Sequence, residues 1–194
     1  MENVIIRKTK AGDAEQYIKL RNLIWKSTYG HIFPEELFVK MENPENISKR
    51  IEGFAAYHIG NPQVFSYVAE DNGKIIGFMT GSYDVETECF KKPNLAELGC
   101  MYIHPEYQGK GLGSRFKDVF LKEIMSKGKQ GFVLGVLKEN VKAQKVYVAW
   151  GGELSERTLP YKTMGKTYDL VFYTYDLEKT KEKNNEKTNC STSK

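Results

Sequence analysis

Several things are scarce in this 194-residue chain, and each absence removes a class of function. There is no apolar run of about eighteen residues, so no membrane-spanning helix is expected. The opening stretch MENVIIRKTKAGDAE has neither a long apolar segment nor a small-residue cleavage site. It does not read as a signal peptide, and a cytoplasmic location is expected. Cysteine occurs three times, at Cys89, Cys100 and Cys190, with no Cys-x-x-Cys pair. The odd count and the spacing argue against a disulfide framework and against a zinc site. His31, His58 and His104 are far apart in sequence, so no metal centre is expected either. A concentrated basic face is also missing. The net charge is +4, and the segment from Leu177 onward supplies +2 of it through five lysines against three glutamates. The body lacks the charge footprint of a nucleic-acid binder. No internal repeat is present.

What remains is a chain with 40% hydrophobic residues, enough for one domain with a real core. Val4 to Arg7 reads as a strand. Asp13, three residues before Gln16, has capping-box spacing and opens a helix carrying Ala14, Tyr17, Ile18 and Trp25. Pro34 starts a short helical segment. Asn43-Pro44 opens another, with Ile47, Ile51, Phe54 and Ala55 as its expected buried stripe. The period then changes. Val64 to Glu70 and Ile75 to Tyr83 are strands joined by Asp71-Asn72-Gly73-Lys74, a hairpin turn whose Asn-Gly supplies positive φ. Residues 84–94 read as a polar loop, and Leu95 to Ile103 as a strand. From Gly111 a helix presents Leu112, Phe116, Val119, Phe120 and Ile124 on one face. Phe132 to Leu137 is a buried central strand. Asn140 to Trp150 is a helix, and Tyr168 to Tyr175 a last strand. The order is β, helices, β-hairpin, β, α, β, α, β, a mixed α/β (α+β) domain over residues 1–177. Residues 178–194 have too little apolar surface to offset ordering and are expected to be a disordered polar tail.

The most informative segment is His104 to Arg115, HPEYQGKGLGSR, between a strand and a helix. Gly109, Gly111 and Gly113 leave the backbone bare where a helix starts and its first N–H groups lack partners. Such a terminus suits phosphate or pyrophosphate. A dinucleotide fingerprint would need glycine at Ser114 or Phe116, and both positions fail. A Walker A loop lacks its G-K-[ST]. Glycine alone leaves an unliganded turn equally open.

Gln108-Gly109-Lys110-Gly111-Leu112-Gly113 resembles the [Arg/Gln]-x-x-Gly-x-[Gly/Ala] loop of the GNAT N-acetyltransferases, and the order of elements is similar from Val4 to about Asp176. The resemblance implies a single GNAT-type domain with a mostly antiparallel twisted sheet flanked by helices. It implies that acetyl-coenzyme A (CoA) is the cofactor. Its pyrophosphate would be cradled by Gln108, Gly109, Lys110, Gly111, Leu112, Gly113 and Ser114, and its pantetheine arm would run beside Met101, Tyr102 and Ile103. Asn140, Ala143 and Tyr147 form a second shared pattern, N-x-x-A-x-x-x-Y. Asn140 suits a helix N-cap, and Ala143 and Tyr147 lie on one helical face. The resemblance places Asn140 and Ala143 against the cofactor and Tyr147 at its sulfur, where a phenol can protonate a leaving thiolate. Packing alone would also account for Tyr147.

An amine must lose a proton to attack. Glu97, on the strand leading into the glycine loop, is the candidate base, with Gly99 and Met101 on its face and Cys100 on the other. A solvated or salt-bridged glutamate is the competing reading. Direct attack in a ternary complex is expected rather than an acetyl-cysteine route through Cys100. Asp84, Glu86 and Glu88 would share one face if extended and hold a polycation; an ordinary solvated loop is the alternative. Trp25 and Tyr29, with Pro34 to Leu37, resemble a subset of the family that includes bacterial spermidine/spermine acetyltransferases, which places Trp25 and Tyr29 near the acceptor. The expected acceptor is a small-molecule amine such as a polyamine. A protein N-terminus or lysine, or a non-catalytic CoA sensor, are the alternatives. The family is often dimeric, so the resemblance implies a homodimer.

Overall fold

The computed structural model describes residues 3–178. The expected tail lies outside the described residues except for Glu178, as does Cys190. Seven strands form one sheet: β1 (Val4–Lys8), β2 (Val64–Asp71), β3 (Lys74–Ser82), β4 (Leu95–Ile103), β5 (Gly131–Leu137), β6 (Glu153–Thr163) and β7 (Lys166–Asp176). Their order is β1-β2-β3-β4-β5-β7-β6. Every pairing is antiparallel except β4 with β5. The helices are α1 (Ala14–Tyr29), α2 (Glu35–Glu42), α3 (Pro44–His58), α4 (Leu112–Ser126) and α5 (Val141–Ala149). This is the mixed, mostly antiparallel sheet flanked by helices that the sequence led us to expect.

The two faces of the sheet bury different cores. On one, Leu112, Phe116, Phe120 and Ile124 of α4 pack against Ile76, Met79, Ala96, Leu98, Phe132 and Leu134. Each of the large side chains among them contributes about 2 kcal/mol by leaving water. On the other, Ala14, Tyr17, Leu20 and Ile24 of α1 and Phe54 of α3 cover Val68, Ile75 and Phe78. The β2–β3 turn has the expected positive φ, 49° at Asn72 and 82° at Gly73.

Several sequence expectations fail, each for a physical reason. Asp13 does not cap α1 with its side chain. Its carboxylate instead takes two bonds from the Arg7 guanidinium, at 2.7 and 2.9 Å, and one from the Lys10 N–H. The charged partner on β1 is the stronger donor. In α3 only Phe54 is buried; Ile51 and Ala55 are exposed and Ile47 half-buried, because the helix meets α1 along a narrow line. The strand β6 was missing from the sequence reading. None of its residues is buried; Leu159, Tyr161 and Thr163 are half-buried, alternating with exposed Pro160 and Lys162, and Pro160 suits its place at the sheet edge. Finally, residues 84–94 are not wholly irregular: Glu88–Phe90 form a 3-10 turn anchored by buried Val85 and Phe90.

One irregularity matters most. In the β3–β4 register Gly81 faces Leu98 but Thr80 faces Cys100, so Gly99 is an extra, bulged residue. A bulge shifts the side-chain alternation by one. Ala96 and Leu98 face α4 before it, and Met101 and Ile103 face α4 after it. Cys100 and Tyr102 face α1 and α3. Glu97 therefore shares its face with Cys100 and Tyr102, not with Gly99 and Met101 as simple alternation suggested.

Candidate active site

The bulge coincides with a parting of the sheet. Strands β4 and β5 pair only from Leu95–Glu97 to Gly131–Val133. Beyond that point β4 follows β3 and β5 follows β7, so a wedge opens between Leu98–Ile103 and Leu134–Leu137. Parallel neighbours that separate leave a backbone edge of β4 without a strand partner, available to an extended ligand.

The glycine loop stands at the end of β4. Gly109 and Gly111 have φ of +73° and +83°, and a Cβ at either would project into open space. The positive φ is what requires glycine there. Gly111 is the N-cap of α4 and has no side chain with which to cap it. The helical ladder starts with Arg115 N–H donating to the Gly111 carbonyl at 3.2 Å. The six amide N–H groups from Gly109 to Ser114 donate to no acceptor among the described residues. Six unpaired donors at a helix N-terminus fit a pyrophosphate. The Leu112 side chain is buried under α4, so only its backbone faces the loop. Gln108 is used structurally: its amide donates to the Ile103 carbonyl at 3.0 Å and accepts from Lys142 Nζ at 2.8 Å. Lys142, which sequence reasoning passed over, thereby brings a cation from α5 to the loop. Lys110 lies over the Tyr107 ring.

Helix α5 closes the other side. Asn140 caps it, accepting from the Ala143 N–H at 3.2 Å, while its Nδ2 donates to the Tyr29 hydroxyl at 3.3 Å. Tyr147 packs between Trp150 and Tyr173, with ring centroids at 5.8 and 5.9 Å. Its hydroxyl bonds to no protein group among the described residues. Burial, with smaller contributions from Tyr29 and Cys100, holds the phenol well above its ordinary value of 10.0. Tyr147 is thus a protonated, unengaged donor at neutral pH.

The remaining site candidates separate. Trp25 Nε1 donates to the Tyr102 hydroxyl at 3.0 Å, so Tyr102 faces α1 with its side chain. Tyr29 packs with Phe33 and Leu137. Trp25 and Tyr29 thus tie the end of α1 to both lips of the wedge. Glu97 Oε2 accepts the N–H groups of Glu86 at 2.8 Å and Thr87 at 3.4 Å, and Oε1 accepts the Thr87 hydroxyl at 3.3 Å. The acidic segment does not form a strip. Asp84 pairs with Lys129 at 3.2 Å and Glu88 with Lys91 at 2.9 Å, while buried Val85 turns the chain between them. The segment is bent because Val85 and Phe90 must reach the core formed with Val133 and Phe172. Tyr161 and Tyr168 pack on Phe33 and lie apart from the loop. Burial raises the Cys100 thiol above its ordinary range. Among the described residues no helix is long and apolar enough to cross a membrane, and no group of three His, Cys, Asp or Glu is placed to hold a metal.

Comparison with known proteins places this geometry. The model of the acetyltransferase (GNAT) family matches residues 19–151. Bovine (Bos taurus) thialysine N-ε-acetyltransferase is 27% identical over 160 residues, 79% of this chain and 86% of that protein. L-amino acid N-acyltransferase MnaT of Escherichia coli K12 is 23% identical over 151 residues, 77% and 85% of the two chains. The PaiA N-acetyltransferase of Thermoplasma acidophilum, solved in complex with coenzyme A, superposes with a TM-score of 0.67 at 23% identity, covering 89% of this chain and 99% of that one.

Proposed function

Because this chain belongs to the GNAT acetyltransferase family, we propose that it moves an acetyl group from acetyl-CoA to the primary amine of a small molecule, with the site between β4 and β5. The six amide N–H groups from Gly109 to Ser114, which have no acceptor among the described residues, carry this reading. They are a cradle for a diphosphate at the end of a strand whose edge is open, which is what an extended nucleotide thioester needs. The two curated relatives are named for small amine-bearing acceptors, which supports the acceptor class.

When bound, acetyl-CoA supplies an activated acetyl group and a sulfur that departs as a thiolate. The residues of this chain do the rest. The loop amides, with Lys110 and Lys142 nearby, hold the negative end. The edge of β4 at Met101 and Ile103 aligns the arm, and Ala143 leaves room beside it. Asn140 fixes α5 so that Tyr147 faces the wedge, and Tyr147 gives its phenolic proton to the departing sulfur. Glu97 receives the amine proton; Oε1, engaged among the described residues only by the Thr87 hydroxyl at 3.3 Å, keeps acceptor capacity for it. Transfer is direct. The Cys100 thiol, pushed up by burial, is a poor thiolate source and hence a poor covalent carrier.

The finer reading of a polyamine acceptor drew on Asp84, Glu86 and Glu88, two of which are already ion-paired. The test is CoA release, followed with a thiol reagent, across amino acids, polyamines, aminoglycosides and short peptides. Release with small amines is the expected result. Release with peptides alone would move the assignment to protein acetylation, and no release despite acetyl-CoA binding would leave a CoA-binding sensor.

A further inference from the structure

Two arginines, Arg21 and Arg50, lie where α1 and α3 meet, and neither has an ion-pair partner among the described residues. Arg21 lies on α1 with its guanidinium 4.6 Å from the centroid of the Trp25 ring. Its Nη1 is sealed from solvent and has no hydrogen-bond partner among the described residues. Arg50, on α3, is exposed as a residue; partial desolvation and, to a lesser extent, the nearby Arg21 charge lower its pKa. The charge of Arg21 also reaches the Cys100 thiol and the Tyr102 hydroxyl, so Arg21 sits over the β4 face at the bulge. Trp25, on which Arg21 rests, is itself pinned to Tyr102. Glu97 is committed to residues 86 and 87, whereas Glu86 is exposed, has no ion pair among the described residues and lies close enough to Tyr57 to raise its pKa.

Like charges near one another oppose folding, as does a buried guanidinium N–H with nothing to donate to. Such groups persist where an ion completes them. A guanidinium fork matches a carboxylate, and stacking on an indole fixes its plane. A cationic polyamine would be repelled at this position.

We propose that Arg21 and Arg50 form the anion subsite of the acceptor, so that the amine substrate also bears a carboxylate, as amino acids do. This rests on the acetyltransferase reading above for the identity of the wedge as the reaction site. The pair holds the carboxylate against α1 and α3 and leaves the amine free to reach the bulge between Glu97 and Tyr147.

The experiment compares amines that differ only by a carboxylate: L-lysine with cadaverine, L-ornithine with putrescine, and L-phenylalanine with phenethylamine. Binding to the CoA-loaded protein is measured by calorimetry, and CoA release is measured alongside. At least one carboxylated member should bind about 10- to 100-fold more tightly than its partner, the worth of charge-assisted hydrogen bonds. Arg21→Gln and, separately, Arg50→Gln should collapse that ratio towards one. Far-ultraviolet circular dichroism and an unchanged acetyl-CoA affinity would show that the variants are folded. Equal binding within every pair, a preference for the decarboxylated members, or a preference that survives both substitutions would overturn the subsite. Turnover on amines regardless of carboxylate would overturn the subsite and leave the acetyltransferase reading standing. Arginine-dependent binding without turnover would do the reverse.

Discussion

The side chain of Asn140 joins two helices that sequence order keeps far apart: its Oδ1 accepts the Ala143 N–H and its Nδ2 donates to the Tyr29 hydroxyl at 3.3 Å. One amide caps α5 and holds the end of α1 across the wedge. Asn140→Ala should cost about 1 kcal/mol of stability through the lost cap. It should also raise the KM for the acceptor and for acetyl-CoA together, because both lips of the wedge are released. Thermal unfolding and steady-state kinetics check this; a stability loss with unchanged kinetics would reduce Asn140 to a cap.

The Arg7–Asp13 pair makes stability depend on acid. Burial raises the Asp13 carboxyl, but the Arg7 guanidinium and the Lys10 N–H outweigh it and hold it below its usual value of 3.8. A depressed carboxyl stabilises the fold above its unfolded pKa, and that stability is lost as pH falls through the folded one. The melting temperature should therefore drop as pH is lowered below about 4. Asp13→Asn should flatten that part of the profile. Arg7→Ala, which strands a carboxylate only 4% exposed, should cost about 3 kcal/mol.

Glu97 gives a sharp kinetic contrast. If it takes the amine proton, Glu97→Gln lowers kcat by about 100-fold or more at neutral pH. The rate should then climb with pH as free amine becomes available. A variant that changes KM alone, with the wild-type pH profile, would leave Glu97 as the anchor of residues 86 and 87.

Gly111 sits at φ +83° with open space around it. A β-branched side chain there is strained and occupies the anion cradle. Gly111→Val should weaken acetyl-CoA binding by about tenfold or more, in line with about 1–3 kcal/mol of backbone strain. Unaltered affinity would undo the pyrophosphate assignment.

Much of this was legible in the chain. The Asn72-Gly73 turn, the α4 stripe and the glycine loop are local signals, set by backbone freedom and helical period. What stayed hidden depends on partners distant in sequence. The bulge at Gly99 is a register event between β3 and β4, and it moved Glu97 onto the face of Cys100 and Tyr102. Strand β6 has no buried residue, and its only alternation, Leu159, Tyr161 and Thr163, is short and half-buried. The Arg21–Arg50 pair exists only because α1 meets α3, and a lone arginine on a helix carries no such sign. Asp84 and Glu88 looked like a strip until Lys129 and Lys91 claimed them.

The most direct test of the account is the single-turnover rate of Tyr147→Phe beside its acetyl-CoA dissociation constant. The phenol is held above its ordinary value by burial, remains a proton donor across the neutral range and bonds to no protein group among the described residues. Its loss should slow acetyl transfer by about 100- to 10,000-fold while the dissociation constant changes by less than about threefold. An unchanged transfer rate would remove Tyr147 from the chemistry, and with it the assignment of the β4–β5 wedge as the place where the acetyl group moves.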